Sequence, residues 1–63
     1  MYAFETQIMT HPQAVEFMKR FDDRVGTDRE LNEAEDGEWY VVCLDLESVE
    51  VTMCVEIESE VMI

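Results

Sequence analysis

From Glu38 almost to the C-terminus, apolar and polar residues alternate one by one, and this period constrains the fold more than any other feature of the chain. Successive side chains of a strand leave on opposite faces, so strict alternation builds one apolar and one polar face. Tyr40, Val42, Leu44 and Leu46 fall on one face, and Trp39, Val41, Cys43 and Asp45 on the other. After Glu47-Ser48 the pattern resumes. Val49, Val51, Met53, Val55 and Ile57 stand against Glu50, Thr52, Cys54, Glu56, Glu58 and Glu60, with Val61 and Ile63 in phase. The alternation predicts a hairpin of strands 38–46 and 49–61. A two-residue loop at Glu47-Ser48 pairs Leu46 with Val49, Leu44 with Val51, Val42 with Met53 and Tyr40 with Val55, so one face is apolar throughout. Glu-Ser lacks the Asn-Gly or Asp-Gly chemistry of a tight turn, and a four-residue loop that preserves the faces stays open.

Residues 1–9 also alternate, with Tyr2, Phe4, Thr6 and Ile8 on one side, and read as a first strand. Thr10-His11-Pro12-Gln13 is a helix start: the Thr10 hydroxyl can accept an early backbone N–H, Gln13 can reach back, and Pro12 suits a turn that needs no donor. Ala14, Phe17, Met18, Phe21 and Val25 follow at spacings of three and four, and Gly26 supplies a stop. A helix is predicted over 11–25. Thr27-Asp28-Arg29-Glu30 repeats the capping pattern, so a short second helix over 28–35, ended by Gly37, is compatible with the sequence. The expected fold is therefore α+β. Its order is β-α-β-β, with a three-stranded antiparallel sheet in order 2-3-1, the last strand central and one main helix on one face. The other face, with Trp39, Val41, Cys43, Thr52 and Cys54, is left without cover inside a single domain, 1–63.

Leu, Ile, Val and Phe make up 17 of the 63 residues, enough for a chain of net charge −12 to fold instead of remaining disordered. The N-terminus lacks the basic and apolar regions of a secretory signal, and no apolar run nears the ~20 residues of a membrane span. The chain reads as a complete short product of a bacterial-type cytoplasm. Sixteen acidic residues against four basic ones argue against direct contact with nucleic acid or anionic membrane, since both need Lys and Arg.

The charge is also unevenly placed. All four cations lie between Lys19 and Arg29, while residues 30–63 hold eleven carboxylates and no cation. Glu33, Glu35, Asp36 and Glu38 crowd the approach to the hairpin, and Asp45 would oppose Glu50. On a strand, Glu56, Glu58 and Glu60 would form a row at ~6.6–6.8 Å intervals, a pitch suited to Arg and Lys side chains that otherwise hold phosphates. Such self-repulsion opposes folding, which points to a basic partner protein as the reason it is kept. These residues, with Glu47 and with Trp39 as a desolvated anchor, form the expected partner-binding surface. A homodimer through the uncovered face is the competing occupant, a solvated strand face is the plainer reading of the Glu row, and an acidic surface adapted to high salt is a further one.

Chemistry is sparse. Cys43 and Cys54 read as free thiols, diagonal neighbours with the short loop and facing with the longer one. With His11 they fall one ligand short of a structural zinc site, and residues 28–38 do not fit a calcium loop. No nucleophile–base arrangement stands out, so no catalytic residue, metal or cofactor is expected, and the chain reads as no enzyme.

In size and charge over its whole length, the chain is similar in kind to small acidic inhibitors of phages and mobile elements, including DNA mimics and anti-CRISPR proteins. That resemblance implies a target whose basic surface handles DNA or RNA. The alternative from the residues alone is a docking module, or an antitoxin-like subunit, that uses the uncovered sheet face or an edge strand.

Overall fold

The longest strand, Glu38–Leu46, lies in the middle of the sheet. In a computed structural model describing residues 1–63, the elements run β1 (Tyr2–Glu5), β2 (Met9–Thr10), α1 (His11–Arg24), β3 (Arg29–Glu33), β4 (Glu38–Leu46) and α2 (Ser48–Val61). β1 and β2 pair with one side of β4 and β3 with the other, all antiparallel. The α+β class, the antiparallel sheet and the main helix on one face are as expected. The strand count and the order 2-3-1 are not: β4 takes the central place assigned to the last strand.

α1 forms as its sequence dictates. Thr10 Oγ1 accepts from the Gln13 N–H (3.3 Å), and Gln13 Oε1 accepts from the Thr10 N–H (3.0 Å). The helix ends at Arg24, and Gly26 follows at φ 154°, a conformation that favours glycine.

Residues 28–35 are not helical; Arg29–Glu33 is a strand. The deciding signal is Asp36-Gly37. Gly37 takes φ 72°, and the hairpin closes through Ala34 N–H to Glu38 O (3.0 Å) and Glu38 N–H to Glu35 O (2.8 Å). This three-residue loop places Glu30 opposite Val42 and Asn32 opposite Tyr40.

Residues 49–61 are not a strand; they belong to α2. The same residues that alternate also carry a helical stripe: Cys54, Ile57 and Val61 are buried, and Val51 and Met62 pack beside them. Glu47-Ser48 has no means of forming a tight hairpin turn, but Glu50 can cap a helix there, its carboxylate accepting from the Glu47 N–H (2.7 Å). The alternate valines that fall off the stripe are left in solvent, Val49 61% and Val55 49% exposed.

The predicted first strand is broken at Thr6. The Thr6 N–H donates to Val41 O (3.0 Å), and its hydroxyl accepts from the Val41 N–H (2.9 Å), standing in for the carbonyl that an unbroken strand would supply. Gln7 is thereby released from the ladder, and its N–H donates to Glu58 Oε2 on α2 (2.7 Å).

Both helices cover the same face of the sheet. Ala14, Phe17 and Phe21 from α1 and Cys54, Ile57 and Val61 from α2 form one core with Met9, Val41, Cys43 and Leu46. Burial of each Phe stabilises by about 1.5–3 kcal/mol. The sheet faces are therefore the reverse of those expected: Trp39, Val41 and Cys43 point inward, and Tyr40 and Val42 outward. Leu46 joins the inner set because β4 carries one extra residue between the pairs Phe4–Cys43 and Tyr2–Leu46. This bulge holds Asp45 at φ 54°, a left-handed conformation that Asp tolerates better than most residues.

Candidate acidic interface

Reversal of the sheet faces moves the candidate surface. With the helices on Val41 and Cys43, the open face presents a strip of Tyr40, Val42 and Leu44 along β4. Val42 is flanked by Glu5 of β1 on one side and Glu30 of β3 on the other. Glu38 opens the strip beside Thr10. Asp28 closes it, its carbonyl accepting from the Leu44 N–H (2.8 Å) in the continuing β3–β4 register. Tyr40 and Val42 are half-buried and Leu44 is 37% exposed, while the four carboxylate residues are exposed. The open face is thus an apolar strip between acids, with no cation among its residues.

The cations are all engaged on the other side or lie on its surface. Arg20 bridges Glu16 (3.0 Å) within α1 and Glu60 (2.9 Å) on α2, and Arg24 also reaches Glu60 (3.1 Å). Arg29 turns inward from β3, bonding Asp22 and the Thr27 carbonyl (3.0 Å). Only Lys19, exposed on α1, forms no ion pair. Arg24 and then Arg20 hold the Glu60 carboxyl below its ordinary range, with burial opposing them. Glu60 sits in the last turn of α2, where a negative charge meets the negative end of the helix dipole, so these two guanidinium groups offset an unfavourable placement.

The sequence-predicted residues are dispersed by this geometry. Glu33, Glu35, Asp36 and Glu38 stay together around the β3–β4 turn, the last three lining a shallow open concavity. Trp39 is no exposed anchor; it lies on the inner face, half-buried, with its ring edge-to-face with His11 at 4.9 Å. Asp45 sits in the bulge, and Glu47 and Glu50 cap α2, so Asp45 and Glu50 are not strand partners. The row Glu56, Glu58, Glu60 does not exist at strand pitch. On a helix, alternate residues diverge by about 200°. Glu60 is held by two arginines and Glu58 by the Gln7 amide, while Glu56 remains in solvent. The sequence reading missed Asp28 and Glu30, which the Asp36-Gly37 turn signal would have brought to the face of Val42, and Glu5, which reaches it through the β1–β4 pairing.

The thiols offer no nucleophile. Cys43 and Cys54 are free, fully buried and neighbours across the strand–helix boundary, and burial, chiefly, pushes both thiols up from their ordinary pKa. No group of three or more His, Cys, Asp or Glu side chains is placed to hold a metal ion, and no helix is long and apolar enough to cross a membrane. Compared with known proteins, the chain matches no family model, no curated protein and no solved structure.

Proposed function

We propose that this chain is a non-catalytic acidic binding protein that occupies a basic, nucleic-acid-binding surface of a partner protein in a bacterial cytoplasm. Its contact surface is the open sheet face together with the β3–β4 turn. The observation that carries this reading is the charge on that surface. Glu5, Asp28, Glu30 and Glu38 surround an apolar strip with no cation among them, while three of the chain's four cations are tied up in ion pairs elsewhere. Complementary potentials steer encounter and raise association rates by ~10–10³. Individual rim carboxylates contribute little, roughly 0.2–1 kcal/mol each, so affinity rests on several acting together over the Tyr40–Leu44 strip. A second copy is a poor occupant, because it would set Glu5 and Glu30 against like charges.

Competition tests the reading. A target captured from a bacterial lysate is titrated with its own nucleic acid in the presence of this protein; mutual exclusion is expected. Reversal of Glu5, Glu30 and Glu38 to Lys should abolish capture, while Lys19→Glu on the helical side should leave it unchanged. Simultaneous, unhindered binding of protein and nucleic acid to the target would overturn the reading.

A further inference from the structure

On the side away from β1 the sheet ends at β3, and nothing pairs with its outer edge. Which backbone groups point outward follows from two bonds at its ends. Leu44 N–H donates to Asp28 O, and Ala34 N–H donates to Glu38 O. Hydrogen-bonded pairs alternate along an antiparallel ladder, so Glu30 and Asn32 also turn their N–H and C=O groups toward β4. Leu31 and Glu33 turn theirs away. At the start of the strand the Arg29 N–H is already given to Thr27 O (2.9 Å). The opposite edge is closed differently, being broken between β1 and β2 with the Gln7 amide held by α2.

β3 is short and its first residue, Arg29, turns a charge inward, but along the rest of the strand there is no Pro, Lys or bulge to guard the edge from pairing. Its guards are carboxylates: Glu30 and Glu33 on the strand, Glu35 and Asp36 in the adjoining turn, all exposed. Arg29 does not neutralise them, because its guanidinium is turned to Asp22 and the Thr27 carbonyl. Carboxylates repel an acidic strand, including the same edge of a second copy, and attract a cationic one.

We propose that β3 is a strand-addition site for an extended cationic segment of a partner protein. The segment pairs with the outward backbone groups of Leu31 and Glu33 and sets Lys or Arg side chains against Glu30, Glu33 and Glu35. The choice of a cationic partner rests on the acidic-surface reading above. The contact itself, backbone pairing at an edge, is separate from the side-chain contact of the open face.

The test uses the full chain, isotope-labelled, and a synthetic peptide of Lys and Val in which Lys falls on both faces of the extended segment, since Glu30 and Glu33 lie on opposite faces of β3. Saturating peptide is expected to slow amide exchange at Leu31 and Glu33 by about tenfold or more, and N-methylation of the peptide on its β3-facing residues to weaken binding by about tenfold. A Glu-Val peptide is expected not to bind. Glu33→Pro removes an outward N–H without touching the β3–β4 ladder, so it should weaken binding more than Glu33→Gln, which loses the charge and keeps the donor. If Glu33→Pro fails to fold, the N-methylated peptide carries the comparison alone. Peptide binding that perturbs Tyr40 and Val42 and leaves Leu31 and Glu33 unprotected would remove the edge site and leave the open-face reading standing. No binding of the Lys-Val peptide would overturn the edge site irrespective of the competition experiment. Concentration-dependent protection of the same amides without peptide would assign the edge to a second copy and overturn the cationic partner.

Discussion

On the covered side of the sheet, Trp39, Val41, Cys43 and Leu46 meet two helices, and every cation of the chain lies on that side. On the open side, Tyr40, Val42 and Leu44 meet solvent between carboxylates. The covered side neutralises part of its charge internally, through Glu16, Asp22 and Glu60, and buries its apolar residues in one core. The open side does neither. Stability is therefore concentrated on one side, and the acids of the other serve no contact within the fold.

The largest expected effect separates the two sides directly. Ile57→Ala empties a fully buried position under α2 and should cost about 2–5 kcal/mol, much of the stability of so small a domain. Val42→Ala on the open face should cost less than about 1 kcal/mol. Urea denaturation of both variants measures the contrast, and equal losses would break it.

A polar position on the covered side comes next. Thr6→Val keeps the shape but leaves the buried Val41 N–H without its acceptor, which should cost about 1–3 kcal/mol. Thr6→Ser retains the hydroxyl and should recover most of the loss in the same assay. A Val variant as stable as Ser would mean that Thr6 does not carry the ladder across the break.

What the sequence revealed follows the same division. α1 was legible in full because capping box, Pro12, apolar stripe and Gly26 all agree. Besides the break of the first strand at Thr6, two errors arose where local signals conflict. Asp28–Glu35 carries both a capping pattern and, just beyond it, Asp36-Gly37; the turn prevails because β3 adds a third line of hydrogen-bonded pairs to β4. Ser48–Val61 fits period two and period 3.6 together, and β-branched residues favour a strand, but only the helix buries Cys54 with Ile57 and Val61. The faces of β4 then inverted as a consequence, since the hairpin partner that defined them was absent. The acidic character of the chain was visible from composition, but not which acids line the open face. Asp28 and Glu30 come to that face only through the β3–β4 pairing that the turn assignment determines, and Glu5 only through the β1–β4 pairing.

The core thiols give a pH-dependent measure of the covered side. Burial raises Cys43 and Cys54 above the ordinary thiol value of 9.0, so the folded state holds these protons longer than the unfolded state. The sign follows by linkage: their contribution is fully present below pH 9 and is lost as pH rises above it, by at most about 1.4 kcal/mol per pH unit for each thiol. Melting temperature should fall above that pH, and less steeply in Cys43→Ala. An unchanged slope in that variant would show that the thiol is not protected by the core.

The smallest effect has opposite signs on the two sides. Glu60→Gln removes a carboxylate shared by Arg20 and Arg24, so at neutral pH and low salt it should lower the melting temperature. Because Arg24 and Arg20 depress the Glu60 pKa, this contribution is present above the ordinary carboxylate range and is lost as pH falls through the Glu60 value. Glu30→Gln makes the same chemical change on the open face, where no cation lies opposite. Glu30 and Glu5 flank Val42 from strands about 10 Å apart, a distance comparable to the screening length in ~0.1 M salt. Removal of one charge there should leave the melting temperature unchanged or raise it slightly, and the difference between the two variants should shrink in molar salt. Equal destabilisation by both changes, persisting at high salt, would show that the acids of the open face are held by the fold after all, and the reason to assign them to a partner would be gone.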